Sequence, residues 1–173
     1  NEYLIAREYY YVEPKLTILR GKGENHYYGV IITTRKDITK LSDLDGKKIA
    51  ARSVYSISGF VLPSIVFSKS NIKPEFVFTD SHEVSFEKLL RGEVDAGCVY
   101  KSLVEGKKDI KIIYEFGPIP NEPVVCRKKL DSFLCERVMN ELVSLVNDRE
   151  FKDIFEKMAG IVGFTEANVS DYK

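Results

Sequence analysis

Four residues between positions 53 and 59 could hold an anion. Ser53, Ser56 and Ser58 place three hydroxyls within six positions, and Gly59 follows them directly. They lie in the stretch Ser53-Val54-Tyr55-Ser56-Ile57-Ser58-Gly59, after Lys48-Ile49-Ala50-Ala51 and before an apolar run from Phe60. The spacing predicts a buried strand, a loop and a helix starting near Phe60. A helix start offers unpaired N–H donors and a partial positive charge, the two things an anion needs. Gly59 lets the backbone come close to a ligand, and Pro63 is tolerated only near a first helical turn. The plainer reading of the same serines is an ordinary N-cap. His82 is a second candidate, since an imidazole can donate an N–H to an oxyanion or carry a charge itself.

These groups need elements to position them. Glu2 to Tyr11 reads as a helix whose aromatics form a buried stripe. Lys15 to Leu19 and His26 to Thr34 read as strands, the second long enough to pass between two lobes. Ile38 to Gly46 reads as a short helical turn with Ser42 as N-cap and Asp45 as its capping acid. Strands follow at Glu75 to Phe78 and Val94 to Tyr100, with a helix from Glu83 to Arg91 between them closed by Gly92. Strand, helix, strand, helix, strand implies a parallel α/β sheet with right-handed crossovers. Ligands of such sheets sit past the carboxyl ends of the strands, where Ser56 and His82 both fall. Downstream come a weak helical turn at Ser102 to Glu105, a strand at Ile110 to Phe116 and a stiff Gly117-to-Pro123 segment. A strand at Val124 to Cys126 and two helices, Asp131 to Asn147 and Arg149 to Met158, complete the series; the first carries Phe133, Leu134, Val138, Leu142, Leu145 and Val146 on one face.

Composition narrows the function classes. The 173 residues are 44% apolar and 30% charged, enough for one domain or two small ones. Net charge is zero with scattered basic residues, which points away from nucleic acid and from anionic membranes. No apolar run reaches the roughly 20 residues of a membrane span. The first residue is Asn1, so the sequence reads as a processed product or an excerpt of a longer chain. Cys98, Cys126 and Cys135 show no metal spacing; at least one is a free thiol, and each reads as a small core hydrophobe. No metal or other cofactor is expected. His82 with Glu83 or Asp80 is the only set resembling a base with an orienting partner, so an enzyme is not expected.

Tyr27-Tyr28-Gly29-Val30-Ile31, Leu41-Ser42-Asp43-Leu44-Asp45-Gly46-Lys47-Lys48-Ile49-Ala50, Ser56-Ile57-Ser58-Gly59-Phe60 with Pro63, Ser81-His82-Glu83, Gly92-Glu93-Val94-Asp95-Ala96-Gly97, and Ile119-Pro120-Asn121-Glu122-Pro123 with Arg127 form an ordered series. Together they resemble the phosphonate-, phosphite- and phosphate-binding components of ABC transporters, which are type 2 periplasmic binding proteins. The resemblance implies an α/β fold of two lobes joined by two hinge crossings. The first lobe would comprise 1–35 and 118–173 and lack an opening strand–helix–strand portion; the second would comprise 36–117. It also implies ligand capture by hinge closure, an ABC transporter permease as partner and an extracytoplasmic location, periplasmic or membrane-anchored. The implied ligand-binding residues are Tyr27, Ser56, Ile57, Ser58, His82 and Glu122. Ile57 stands where the family carries a threonine and so removes one donor. A second acid that would help Glu122 hold an ammonium group falls near Ser102, where no acid stands. Asp95 reads as structural, bonding backbone at a strand end. An incomplete first lobe would expose sheet edge and apolar surface and favour dimerisation through it. The alternatives are an extracytoplasmic sensor module of a signalling protein and an enzyme on the same fold.

Overall fold

Among the described residues, the eight strands divide into two sheets, one of five strands and one of three. The computed structural model describes residues 2–172, and these form two units: one from residues 28–119, the other from residues 2–27 together with 120–172.

In the contiguous unit, five strands lie in the order β4-β3-β5-β2-β6: β2 His26–Thr33, β3 Lys48–Ala51, β4 Glu75–Phe78, β5 Ala96–Tyr100 and β6 Lys111–Pro120. The first residues of β2 and the last of β6 are assigned to the other unit. β3 runs parallel to β4 and β5, but β2 is antiparallel to β5 (Val30 opposite Val99), so the sheet is mixed rather than wholly parallel. Successive strand side chains point to opposite faces, and both faces here are covered. Val30, Ile32, Ala50 and Val99 pack on one side with Phe86 and Leu89 of helix α3, His82–Leu90. Ile31, Ile49, Ala96 and Cys98 pack on the other with Phe67 of helix α2, Leu62–Lys69, and with Ile38, Leu44 and Ile72. Asp95 is structural as expected: its carboxylate accepts the Lys48 N–H at 2.9 Å and pairs with Arg35, tying β5 to the start of β3.

The other unit has a three-stranded antiparallel sheet, β7-β1-β8, in which β1 (Val12–Leu19) lies between β7 (Pro123–Arg127) and β8 (Gly163–Glu166). Helices α1 (Glu2–Tyr10), α4 (Ser132–Asn147) and α5 (Arg149–Ala159) accompany it. Tyr172 is buried here, with its hydroxyl 2.8 Å from both Thr17 Oγ1 and the Asn121 carbonyl.

Several expectations need correcting. No residue of α1 is fully buried: Tyr9 and Tyr10, and Tyr11 just after it, are 74%, 57% and 67% exposed, while half-buried Tyr3 packs edge-on against Tyr172 at 5.4 Å. Of the expected apolar face of α4, Val146 is buried, while Phe133, Leu134 and Val138 are exposed. Cys126 and Cys135 are not separate core hydrophobes but a disulfide joining β7 to the first turn of α4, which leaves Cys98 as the free, buried thiol. The short turn near residue 42 is a 3-10 turn, Leu41–Leu44, capped by Asp43, whose carboxylate accepts from the Thr39 and Lys40 N–H groups. Asp45 instead accepts from the Lys73 N–H. The Gly117-to-Pro120 segment belongs to β6, where prolines are tolerated because the strand is at the sheet edge. The weak turn at Ser102 to Glu105 is a 3-10 turn at Lys101–Leu103, and β8 is an element that periodicity missed.

Candidate functional site

β3 ends at Ala51, and the next eight residues make the loop whose hydroxyls suggested an anion site. The helix begins three residues earlier than expected, as a π-helical turn over Ile57–Val61 that runs on into α2. Ser56 is its N-cap. The Ser56 hydroxyl accepts the Gly59 N–H at 3.1 Å, while the Phe60 and Val61 N–H groups bond the Ser56 carbonyl. The Ile57 and Ser58 N–H groups come before any intrahelical acceptor and so are left for another partner. The cap reading and the anion reading therefore describe one arrangement: with its oxygen accepting from Gly59, Ser56 still has its own O–H to donate. Ser58 is buried beside it. Phe60 holds the helix start in place, lying 5.0 Å from the Phe76 ring and 5.1 Å from the Phe78 ring of β4.

His82 opens α3, whose N-cap Ser81 accepts the Val84 N–H. The imidazole Nε2 stands 3.5 Å from Ser56 Oγ, at the outer limit of a hydrogen bond. The residue is only 7% exposed, and its Nδ1 has no partner at hydrogen-bond geometry. Tyr100 meets the ring edge-on at 5.2 Å. Burial, then the positive charge of Arg52, push the His82 pKa below the ordinary histidine value, so at neutral pH the ring is a neutral N–H donor rather than a cation.

That shift fixes the sign of a stability effect. Below about pH 6.5 the unfolded chain takes up a proton that the folded chain resists. Stability is therefore full above that pH and falls as the pH drops, by at most about 1.4 kcal/mol per pH unit for one group. Urea midpoints between pH 5 and 7.5 should show this slope in the wild type and a shallower one in His82→Asn. Equal slopes would remove His82 as its source.

The structure thus brings Ser56, Ile57, Ser58 and His82 together in the contiguous unit. Tyr27 and Glu122 belong to the other unit. Tyr27 is half-buried where β2 leaves that unit. Glu122 is exposed and its carboxylate pairs with Arg20 at 3.1 Å. The base–orienter pair that would have suggested an enzyme is not formed with Glu83, whose carboxylate accepts from the Tyr100 hydroxyl at 2.7 Å. This bond and burial push the Tyr100 pKa up to about 12, burial first. Among the described residues no group of His, Cys, Asp and Glu is placed to hold a metal ion. Arg52 is the residue sequence reading overlooked; its position directly after a strand's carboxyl end was the available signal.

A mixed sheet flanked by helices, with an anion-suited loop past the end of one strand, defines the class: the type 2 periplasmic-binding-protein fold. The chain belongs to the family described as "ABC transporter, phosphonate, periplasmic substrate-binding protein", whose profile matches residues 1–172. It is 26% identical over 153 residues to the phosphonates-binding periplasmic protein of Escherichia coli K12, a match covering 79% of this chain and 45% of that protein. The chain thus spans less than half the length of this curated relative. Among solved structures it is similar to a binding protein component of an ABC phosphonate transporter from Pseudomonas aeruginosa (TM-score 0.75, 19% identity, 97% of this chain and 61% of that one). A second is PhnD1 from Prochlorococcus marinus in complex with methylphosphonate (TM-score 0.69, 16% identity, 92% and 68%).

Proposed function

We propose that the protein captures a small phosphorus oxyanion of the phosphonate, phosphite or phosphate type outside the cytoplasm and delivers it to an ABC transporter permease. The observation that carries this reading is the Ser56–Gly59 turn: two hydroxyls at a helix start whose first N–H groups have no intrahelical acceptor, with a neutral imidazole 3.5 Å from the first hydroxyl. The methylphosphonate complex of the Prochlorococcus protein supports phosphonates as the first ligands to test. The Cys126–Cys135 disulfide supports an oxidising, extracytoplasmic compartment. No helix among the described residues is long and apolar enough to cross a membrane. Glu122, already engaged by Arg20, favours a ligand without an ammonium group.

The test is thermal denaturation of the full-length protein with phosphate, phosphite, methylphosphonate, 2-aminoethylphosphonate and sulfate. A ligand at a hundred times its Kd stabilises the native state by about 2.7 kcal/mol. A rise in Tm with a phosphorus oxyanion, lost in Ser56→Ala, is the expected result; no shift across the panel with a folded protein would sink the reading. Ile57→Thr adds a hydroxyl donor to the turn and should tighten methylphosphonate binding ~3- to 10-fold, the worth of about one hydrogen bond. Unchanged titration curves would count against a direct role for position 57.

A further inference from the structure

Arg52 carries a charge that the fold does not use. It is exposed, and among the described residues no ion pair or hydrogen bond involves its side chain. Arg20, Arg35 and Arg91, by contrast, all pair with carboxylates. Its place is well defined. A Cβ built on Gly59 would lie 2.8 Å from Arg52 Cβ, 2.8 Å from Ser56 Oγ and 2.9 Å from His82 Cε1. Arg52 Cβ therefore stands no more than 5.6 Å from the Ser56 hydroxyl, twice the common distance, a gap that an arginine side chain spans.

Everything else at this turn is a dipole. Ser56 and Ser58 offer hydroxyls and the helix start offers N–H groups. His82, desolvated and facing a cation, is held in its neutral form. A doubly charged oxyanion bound by these groups alone would lack a countercharge, and taking a charge out of water without one is costly. A guanidinium supplies a permanent charge and a planar pair of donors matched to two oxygens of one phosphorus.

We propose that Arg52 is a ligand-contacting residue of this site, supplying the countercharge that makes it select the dianionic form of a phosphorus oxyanion over a singly charged one. The inference rests on the oxyanion-binding reading above and deepens it. Arg52 would close over the ligand from the strand side while Ser56, Ser58 and the helix start hold it from beneath. The hydrogen-bond donor lost with Ile57 is thereby more than replaced.

The test titrates the full-length protein with methylphosphonate at pH 8 and with its O-methyl ester, which keeps a single negative charge. The variants are Arg52→Gln and Arg52→Lys, with Tm measured for each to confirm folding. Arg52→Gln should weaken methylphosphonate binding ~10- to 100-fold, the worth of a charged two-point contact, and weaken the ester much less; Arg52→Lys should recover part of the loss. Wild-type affinity in Arg52→Gln would overturn the role of Arg52 and leave the oxyanion reading standing. Equal losses for both probes would overturn selection by charge. A wild-type protein that binds neither probe would overturn the oxyanion reading and this inference with it.

Discussion

Gly59→Ala is expected to abolish phosphonate binding, with affinity falling at least ~100-fold. The added methyl would sit 2.8–2.9 Å from Arg52 Cβ, Ser56 Oγ and His82 Cε1, closer than nonbonded heavy atoms pack. Relief requires moving the cap hydroxyl, the imidazole or the strand end, which are the groups that would meet the ligand. Displacements of about 1 Å in such sites cost on the order of a hundredfold. The Gly59 N–H bond to Ser56 would weaken as well. Overpacking of this kind typically lowers stability by about 1–3 kcal/mol. Gly97→Ala is the control. It lies in β5, next to the strand that leads into the turn, where a Cβ would meet its nearest neighbours at an ordinary 3.8 Å, so binding should be retained. Calorimetric titration of both variants decides the matter, and wild-type affinity in Gly59→Ala would show that the ligand does not use this turn.

The second large effect concerns the disulfide. Cys126 and Cys135 are separated by nine positions in sequence. Closing a loop of that size in the unfolded chain is worth about 2.5 kcal/mol on the loop-entropy scale. The effect should be pronounced because the unit that contains it has few buried residues, with α1 and α5 burying none. Cys126→Ser with Cys135→Ser, or treatment with dithiothreitol, should therefore lower the unfolding midpoint. The one remaining thiol, Cys98, is fully buried and its pKa is driven up by desolvation, so it should not react in the folded state. Thiol titration in denaturant should count one group before reduction and three after. A midpoint indifferent to reduction would mean that the bridge constrains nothing the native state needs.

What the sequence made legible followed local rules. Lys48–Ala51 and Glu75–Phe78 are short apolar runs with clear flanks, and they occur where expected. Ser56, Gly59 and Pro63 marked a helix start because each has a specific relation to unpaired N–H groups; only the π-helical first turn shifted it forward by three residues. Asp95 was recognisable as a backbone-binding acid at a strand end. What remained hidden depended on distant neighbours. An apolar stripe on a helix says that a face is oily, not that anything covers it, so the buried stripe expected at Tyr9 to Tyr11 is exposed, and Phe133 and Val138 share an apolar face that is open to solvent. Cys126 and Cys135 pair because β7 and α4 meet, a fact of tertiary packing. Arg52 is informative only once it is seen beside Gly59 and His82, and no motif encodes that nearness.

The nesting of one unit inside the other bears on how the molecule is made. Residues 28–119 are continuous, and their bounding strands β2 and β6 are neighbours in one sheet. In a chain synthesised from its N-terminus, that sheet has all its strands as soon as Ile119 has emerged. β1 has to wait, since both of its partners, β7 and β8, lie beyond residue 122. During that interval Leu16 and its neighbours have no ladder to join. The Ser56–Gly59 turn can thus form early, while the unit built from both ends of the chain stays vulnerable to premature pairing until the last strand arrives.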